Sequence, residues 1–159
     1  MFVNARAIIE RTSLAGVEIV LQVRNKPYEG HTRIELPGGR VEEFESLIAA
    51  LRREVREETG LELDEIEGLH TKVNASAEDT NVECLQPFAV YQTVRGPVDS
   101  MGVYFRCRAS GQPLGVGDET KEIQWMPIAG VRKLLQENSD QFSWVDRAGL
   151  LFYLSQIHS

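Results

Sequence analysis

Glu54, Glu57 and Glu58 are the residues best suited to chemistry: at i, i+3 and i+4 they share one surface if the segment is helical. Three like charges so placed repel one another. At about 100° per residue, Leu47, Ile48, Leu51 and Val55 form one apolar stripe, with Glu58 inside that sector and Glu54 and Glu57 flanking it. A carboxylate aimed toward the core is costly unless something pairs with it. Arg52 and Arg56 fall on the opposite face, and Arg53 is expected to reach only the edge of the cluster. A hard divalent cation is the partner such dense oxygen ligands favour, and Mg2+ keeps positions open for water and substrate phosphate. Taken alone, an acidic helix end is more often just a solvated face.

The spacing around the cluster argues otherwise. From Gly39 the chain runs five residues to Glu45 and seven more to Arg53, then Glu54, Val55, one residue, Glu57, Glu58, one residue, Gly60 and Leu61. At residue frequencies of roughly 5 to 7%, a chance match to all these positions is on the order of one in ten million. The segment reproduces every fixed position of the Nudix box, so the chain resembles the Nudix hydrolase family.

The resemblance implies a role for each residue. Glu54, Glu57 and Glu58 are expected to hold one or more Mg2+ ions, with Mn2+ as a substitute, and a Gly39 carbonyl to complete the shell where glycine lets the backbone come close. Arg53 and Glu45 are expected to orient and neutralise. Family members take their general base from a box glutamate or from a glutamate on a late loop, so Glu57, Glu58, Glu119 and Glu122 all remain candidates. Arg24, Lys26, Arg33 and Arg40 surround the turn that approaches the site and are candidates to clamp substrate phosphate. Phe88, Tyr91, Tyr104 and Phe105 could stack on a base, but aromatics alternating in strands more often fill a core. His31, His70 and His158 share no motif spacing.

Composition narrows the partners. The chain has 159 residues, 42% hydrophobic content and a net charge of -7, enough for one domain with a substantial core. With no basic tract, polymeric nucleic acid is disfavoured as a partner, whereas a metal ion reverses the local field for a small phosphorylated ligand. No apolar run reaches membrane-spanning length and the first residues lack a signal-peptide pattern, so no membrane association and a cytoplasmic location are expected. Cys84 and Cys107 lie in strand-like segments without metal spacing and are expected to be buried free thiols.

The elements that must position the site follow from pattern. Val3 to Glu10 and Val17 to Val23 predict strands, followed by a loop from Lys26 to His31 and a short extended stretch from Arg33 to Leu36. Pro37, Gly38 and Gly39 turn into the box helix, which Gly60 ends. A strand over Ile66 to Val73, a hairpin with arms Glu83 to Val94 and Val98 to Ala109, a loop over Ser110 to Thr120 and a strand over Glu122 to Trp125 are expected next. Val131 to Leu135 and Trp144 to Ile157 read as helices. Strands between helices predict a Nudix-like α/β/α sandwich with a mixed β-sheet.

The function expected is Mg2+-dependent cleavage of a diphosphate bond in a nucleoside diphosphate linked to another moiety. The chain departs from the ADP-ribose hydrolase pattern, since no proline occurs between Leu61 and Gln86. A nucleoside triphosphate pyrophosphatase that clears damaged nucleotides would use the same box, and a non-catalytic nucleotide-binding module is the reading from another class. Dimers are common in the family, which leaves a homodimer open.

Overall fold

Alternation along the first strands builds the sheet. Ala5, Ala7 and Ile9 turn to one face, while Ile8 turns to the other. The computed structural model describes residues 1–26, 33–76 and 81–157. His31, His158 and the expected loop beyond Lys26 lie outside the described residues.

Strands β1 (Phe2–Ser13) and β2 (Gly16–Arg24) form an antiparallel hairpin, followed by β3 (Ile34–Glu35) and β4 (Gly38–Arg40). Helix α1 (Leu47–Thr59) carries the box glutamates and is followed by β5 (Glu62–Ile66), β6 (Val73–Asn74), β7 (Glu83–Cys84), β8 (Ala89–Gln92) and β9 (Ser100–Ser110). Strands β10 (Val116–Gly117) and β11 (Thr120–Pro127) precede α2 (Ile128–Glu137) and α3 (Trp144–Gln156). The main sheet runs β10, β11, β2, β1, β9, β5, with β3 on β2, β4 on β1 and β8 on β9. The β1 and β9 pairing is parallel and the others antiparallel, so the sheet is mixed.

Two apolar layers make it a sandwich. Ala50, Leu51 and Val55 of α1 pack on Val20, Val103 and Phe105. Val131, Leu135, Leu150 and Tyr153 of α2 and α3 pack on Ile19, Leu21 and Tyr104 across the sheet. This is the expected α/β/α arrangement. Arg6 crosses toward α3 in a buried ion pair with Asp146 at 3.3 Å and also donates to the Leu36 carbonyl, tying β1, α3 and the turn before β4 together.

Four expectations need correction. Gly38 and Gly39 do not turn into the box helix but lie in β4, paired with Arg6 and Ala5 of β1, and the helix begins only at Leu47. The strand placed over Ile66 to Val73 lies earlier, at Glu62–Ile66, because Leu63 and Ile66 pair with β9 and Gly68, at φ 94°, turns the chain into a single helical turn at Leu69–Thr71. The first hairpin arm shrinks to Ala89–Gln92, with Glu83 and Cys84 pairing instead to Val73 and Asn74 in a small separate sheet. That sheet sits at the surface, so Cys84 is exposed; Cys107 on β9 is buried, and both thiols are free. Among the described residues no helix is long and apolar enough to cross a membrane.

Candidate active site

Local structure aims the box. Ser46 caps α1 by accepting from the Ala49 N–H, and Gly60, left-handed at φ 75°, closes it with its N–H on the Arg56 carbonyl. The helix lies against β4, and there Glu58 Oε2 accepts from the Gly38 N–H at 2.9 Å and from Gln22 Nε2 at 2.8 Å. Gly38 has a φ of 141°, and a Cβ on it would collide with the Ala5 carbonyl oxygen, so only glycine fits. A Cβ on Gly39 would stand 2.6 Å from Glu54 Cδ and 2.7 Å from each carboxylate oxygen. Because that carboxylate is the movable end of a side chain, Gly39→Ala is expected to leave the fold intact while displacing Glu54. Turnover should fall roughly tenfold or more, as metal sites disturbed at one remove do, with the thermal midpoint nearly unchanged; measured kcat and a circular-dichroism melt check both halves.

Arg53 does more than reach the edge of the cluster. Its guanidinium grips Glu45 with two bonds, Nε to Oε1 at 2.8 Å and Nη2 to Oε2 at 2.9 Å, and donates to Glu54 Oε1 at 2.9 Å and to the Arg40 carbonyl at 3.1 Å. Glu57 Oε2 stands 3.5 Å from Nη1. The planar fork holds the loop before α1, β4 and two box glutamates at one point. Arg53 in turn holds the Glu45 carboxyl below its ordinary range. Arg52 and Arg56 turn away, to the Leu63 carbonyl and to Glu62.

Burial outweighs the cations that act on these carboxylates, Arg53 on Glu54, Arg24 on Glu35, and Arg6 on Glu35 and Glu58. Burial, then the nearby Glu35 carboxylate, pushes Glu58 up to about 8, against the opposing Gly38 and Gln22 donors. Burial pushes Glu35 up to about 7, and it raises Glu54 despite Arg53. Desolvated Glu54 and Glu58 fit a hard divalent cation, and exposed Glu57 and the Gly39 carbonyl offer further hard oxygen donors. Among the described residues no three acidic, histidine or cysteine side chains converge as a finished cage. Glu58 turns to Gly38, Glu54 to Arg53, and Glu57 to solvent.

The late loop meets the same helix end. Leu114 N–H donates to the Thr59 carbonyl, Asp118 N–H to Glu57 and Thr120 Oγ1 to Glu58, satisfying carbonyls that α1 leaves open. Glu119, at φ 54°, sits in this turn with its carboxylate 2.9 Å from Lys26 Nζ. Glu122, at φ 51°, lies in a bulge of β11 and is exposed. The four candidate cations divide. Arg24 lies 3.8 Å from Glu35 and Lys26 pairs with Glu119, whereas Arg33 donates to the Asp140 carbonyl and Arg40 lies over the Phe2 ring at 3.4 Å. Of the aromatics, Tyr104 and Phe105 are buried in the core, Phe88 packs edge-on against Phe152, and Tyr91 accepts from Asn4.

Two residues of the site carry no motif: Gln22 and Glu35, both buried and paired in register across β2 and β3. Their signal is weak: Glu35 is the lone polar residue of IELP, and Gln22 stands between Glu18 and Arg24 in VEIVLQVR.

A model of the NUDIX domain matches residues 2–148. The chain belongs to the Nudix family. Among curated proteins, this Nudix chain is 49% identical over 49 residues to the 8-oxo-dGDP phosphatase of Danio rerio, a match that covers 31% of this chain and 15% of that relative. Among solved structures it resembles the MutT described for Aliivibrio salmonicida and Vibrio cholerae, with a TM-score of 0.66, 20% identity and 98% of each chain covered. It also resembles the MutT NUDIX hydrolase of Burkholderia pseudomallei, with a TM-score of 0.63, 20% identity and coverage of 94% of this chain and 95% of that one. These structural likenesses speak for the Nudix fold.

Proposed function

We propose that this Nudix protein is a pyrophosphohydrolase that uses Mg2+, or Mn2+ in its place, to hydrolyse the diphosphate bond of a nucleoside diphosphate linked to another moiety. The observation that carries the reading is the set of Glu54, Glu57 and Glu58 beside Gly38 and Gly39, with Glu58 and Glu54 raised by burial, Glu54 even against its ion pair with Arg53. Bound there, the ion would draw charge from the diphosphate oxygens and make phosphorus open to attack by water. Arg53 keeps Glu54 and Glu57 in place through its grip on Glu45. Arg24 and Lys26, beside Glu35 and Glu119, are the cations assigned to the substrate phosphates, with Arg33 and Arg40 serving the outer part of the ligand. Water is activated by Glu57 or Glu58, or by Glu119 once substrate phosphate has drawn Lys26 away from it. The same reading takes the protein to act on small nucleotides in the cytoplasm, alone or as a homodimer.

The Danio rerio relative's name favours a second reading, in which the substrate is a damaged nucleoside di- or triphosphate and the activity is nucleotide clean-up. Product analysis in 18O-water separates the two. The proposed reaction yields a nucleoside monophosphate and a second phosphorylated fragment from a linked diphosphate. Preferred release of phosphate from 8-oxo-dGDP, or of pyrophosphate from triphosphates, would instead establish the clean-up reading.

A further inference from the structure

The amide of Gln22 joins two carboxylates that raise each other's affinity for a proton. Its Nε2 donates to Glu58 Oε2 at 2.8 Å and to Glu35 Oε1 at 3.3 Å, while the residue is only 1% exposed. Its own Oε1 is buried without a partner, so the side chain is held by its donor end alone. Leaving a buried amide oxygen unpaired has a cost, which argues that the amide orientation serves the two carboxylates and not its own satisfaction. The second donor to Glu58, the Gly38 N–H, falls on the same Oε2. Among the described residues no donor reaches Glu58 Oε1. Two donors on one oxygen fix the carboxylate plane and leave the other oxygen for an ion.

We propose that Gln22 is a positioning residue of the metal site: anchored by Glu35 across the β2–β3 pair, it clamps Glu58 Oε2 together with the Gly38 N–H and so commits Glu58 Oε1 to the divalent cation. This rests on the function proposed above, but its test does not need the substrate. Backbone register explains why the residue can act so, since Gln22 opposes Glu35 directly and the β2 backbone cannot slide without breaking that pair.

The test is Mn2+ binding to the full chain, followed by electron paramagnetic resonance, in Gln22→Met and Gln22→Asn, each alone and combined with Glu58→Gln. Met keeps the length and removes the donor; Asn keeps the amide but is one methylene too short to clamp, and carries the test if the Met variant does not fold. The expected result is a weakening of Mn2+ binding by roughly tenfold or more in either single variant, the scale on which groups behind a metal ligand act. Little further loss should follow when Glu58 is already Gln. Where a substrate has been found, kcat should fall with KM within about threefold, as expected of a residue that acts on the ion and not on ligand binding. Unchanged Mn2+ affinity in a folded single variant overturns the proposal. So does an equal loss with and without Glu58, which would mean that Gln22 acts through the fold. If wild-type protein binds Mn2+ in this Gln22-dependent way but hydrolyses nothing, the functional reading fails and the positioning role stands.

Discussion

Glu58→Gln is expected to lower kcat by roughly 10²-fold or more, the scale for removing an essential acid–base or metal-binding group, and to make the metal-free protein more stable at alkaline pH. The first effect follows from the loss of a charged ligand. The second follows from where Glu58 sits, buried beside Glu35 and the Gln22 amide, where desolvation and the Glu35 charge outweigh the pull of Arg6. An amide oxygen in its place still accepts from the Gly38 N–H and Gln22 Nε2, so shape and both bonds survive while repulsion from Glu35 disappears. Glu57→Gln should lower turnover comparably but leave stability within about 0.5 kcal/mol, because Glu57 is exposed. Turnover assays paired with thermal melts at pH 9 check the contrast. A Glu58→Gln protein that is active, or less stable than the parent at that pH, would contradict it.

Stability of the metal-free protein is expected to fall as pH rises through neutrality, and a divalent cation is expected to reverse the fall. Glu58 and Glu35 are raised in the folded chain to about 8 and about 7 from an ordinary 4.5. For a raised carboxyl the folded state favours the protonated form. Its contribution is therefore fully present below the unfolded value and is lost as pH climbs through the folded one. The window runs from about pH 4.5 to 8. Because the two carboxyls repel each other, their shifts do not simply add; that of Glu58 alone, at about 1.4 kcal/mol per unit, is worth roughly 5 kcal/mol, or about 10 to 20 °C in thermal midpoint for a domain of this size. Mg2+ competes with the Glu58 proton, so the midpoint gained on adding Mg2+ should be small at pH 5 and largest near pH 9. Melts across that range in EDTA and in Mg2+ give the answer directly. A flat metal-free profile would show that burial does not raise these two carboxyls, and a Mg2+ effect that does not grow with pH would show that Glu58 is not a ligand of the ion.

What the chain announced and what it concealed divide along a physical line. The body and end of the box helix were legible because the Leu51 and Val55 stripe and Gly60 are local, whereas its start was not, because Gly38 and Gly39 are drawn into β4 by pairing with β1 and the Ser46 cap stands beyond them. The sandwich was legible because strand alternation and two late apolar helices leave few other arrangements. The strand after the box was misplaced because its limits depend on β9 and on the left-handed turn at Gly68, neither of which is written in Ile66 to Val73. Arg53 was underrated for a similar reason. Helical spacing predicts its reach along α1, but its strongest partner, Glu45, stands before the helix begins. Gln22 and Glu35 escaped notice because a polar residue on a strand reads as a solvent-facing position, and its meaning comes only from what faces it across the sheet. Glu119 and Glu122 were both open as candidates from sequence, and both are exposed, Glu119 paired with Lys26 beside the end of α1 and Glu122 in a bulge of β11.

The most direct test of the central claim is release of monophosphate from a panel of nucleotide sugars, ADP-ribose, dinucleoside polyphosphates, and normal and oxidised nucleoside di- and triphosphates, assayed with Mg2+, with EDTA, and with Glu57→Gln alongside. The account predicts turnover of a linked nucleoside diphosphate that needs the ion and is lost in the variant. Turnover that persists in EDTA or in Glu57→Gln, or no turnover of any member by folded, Mg2+-loaded protein, would contradict it.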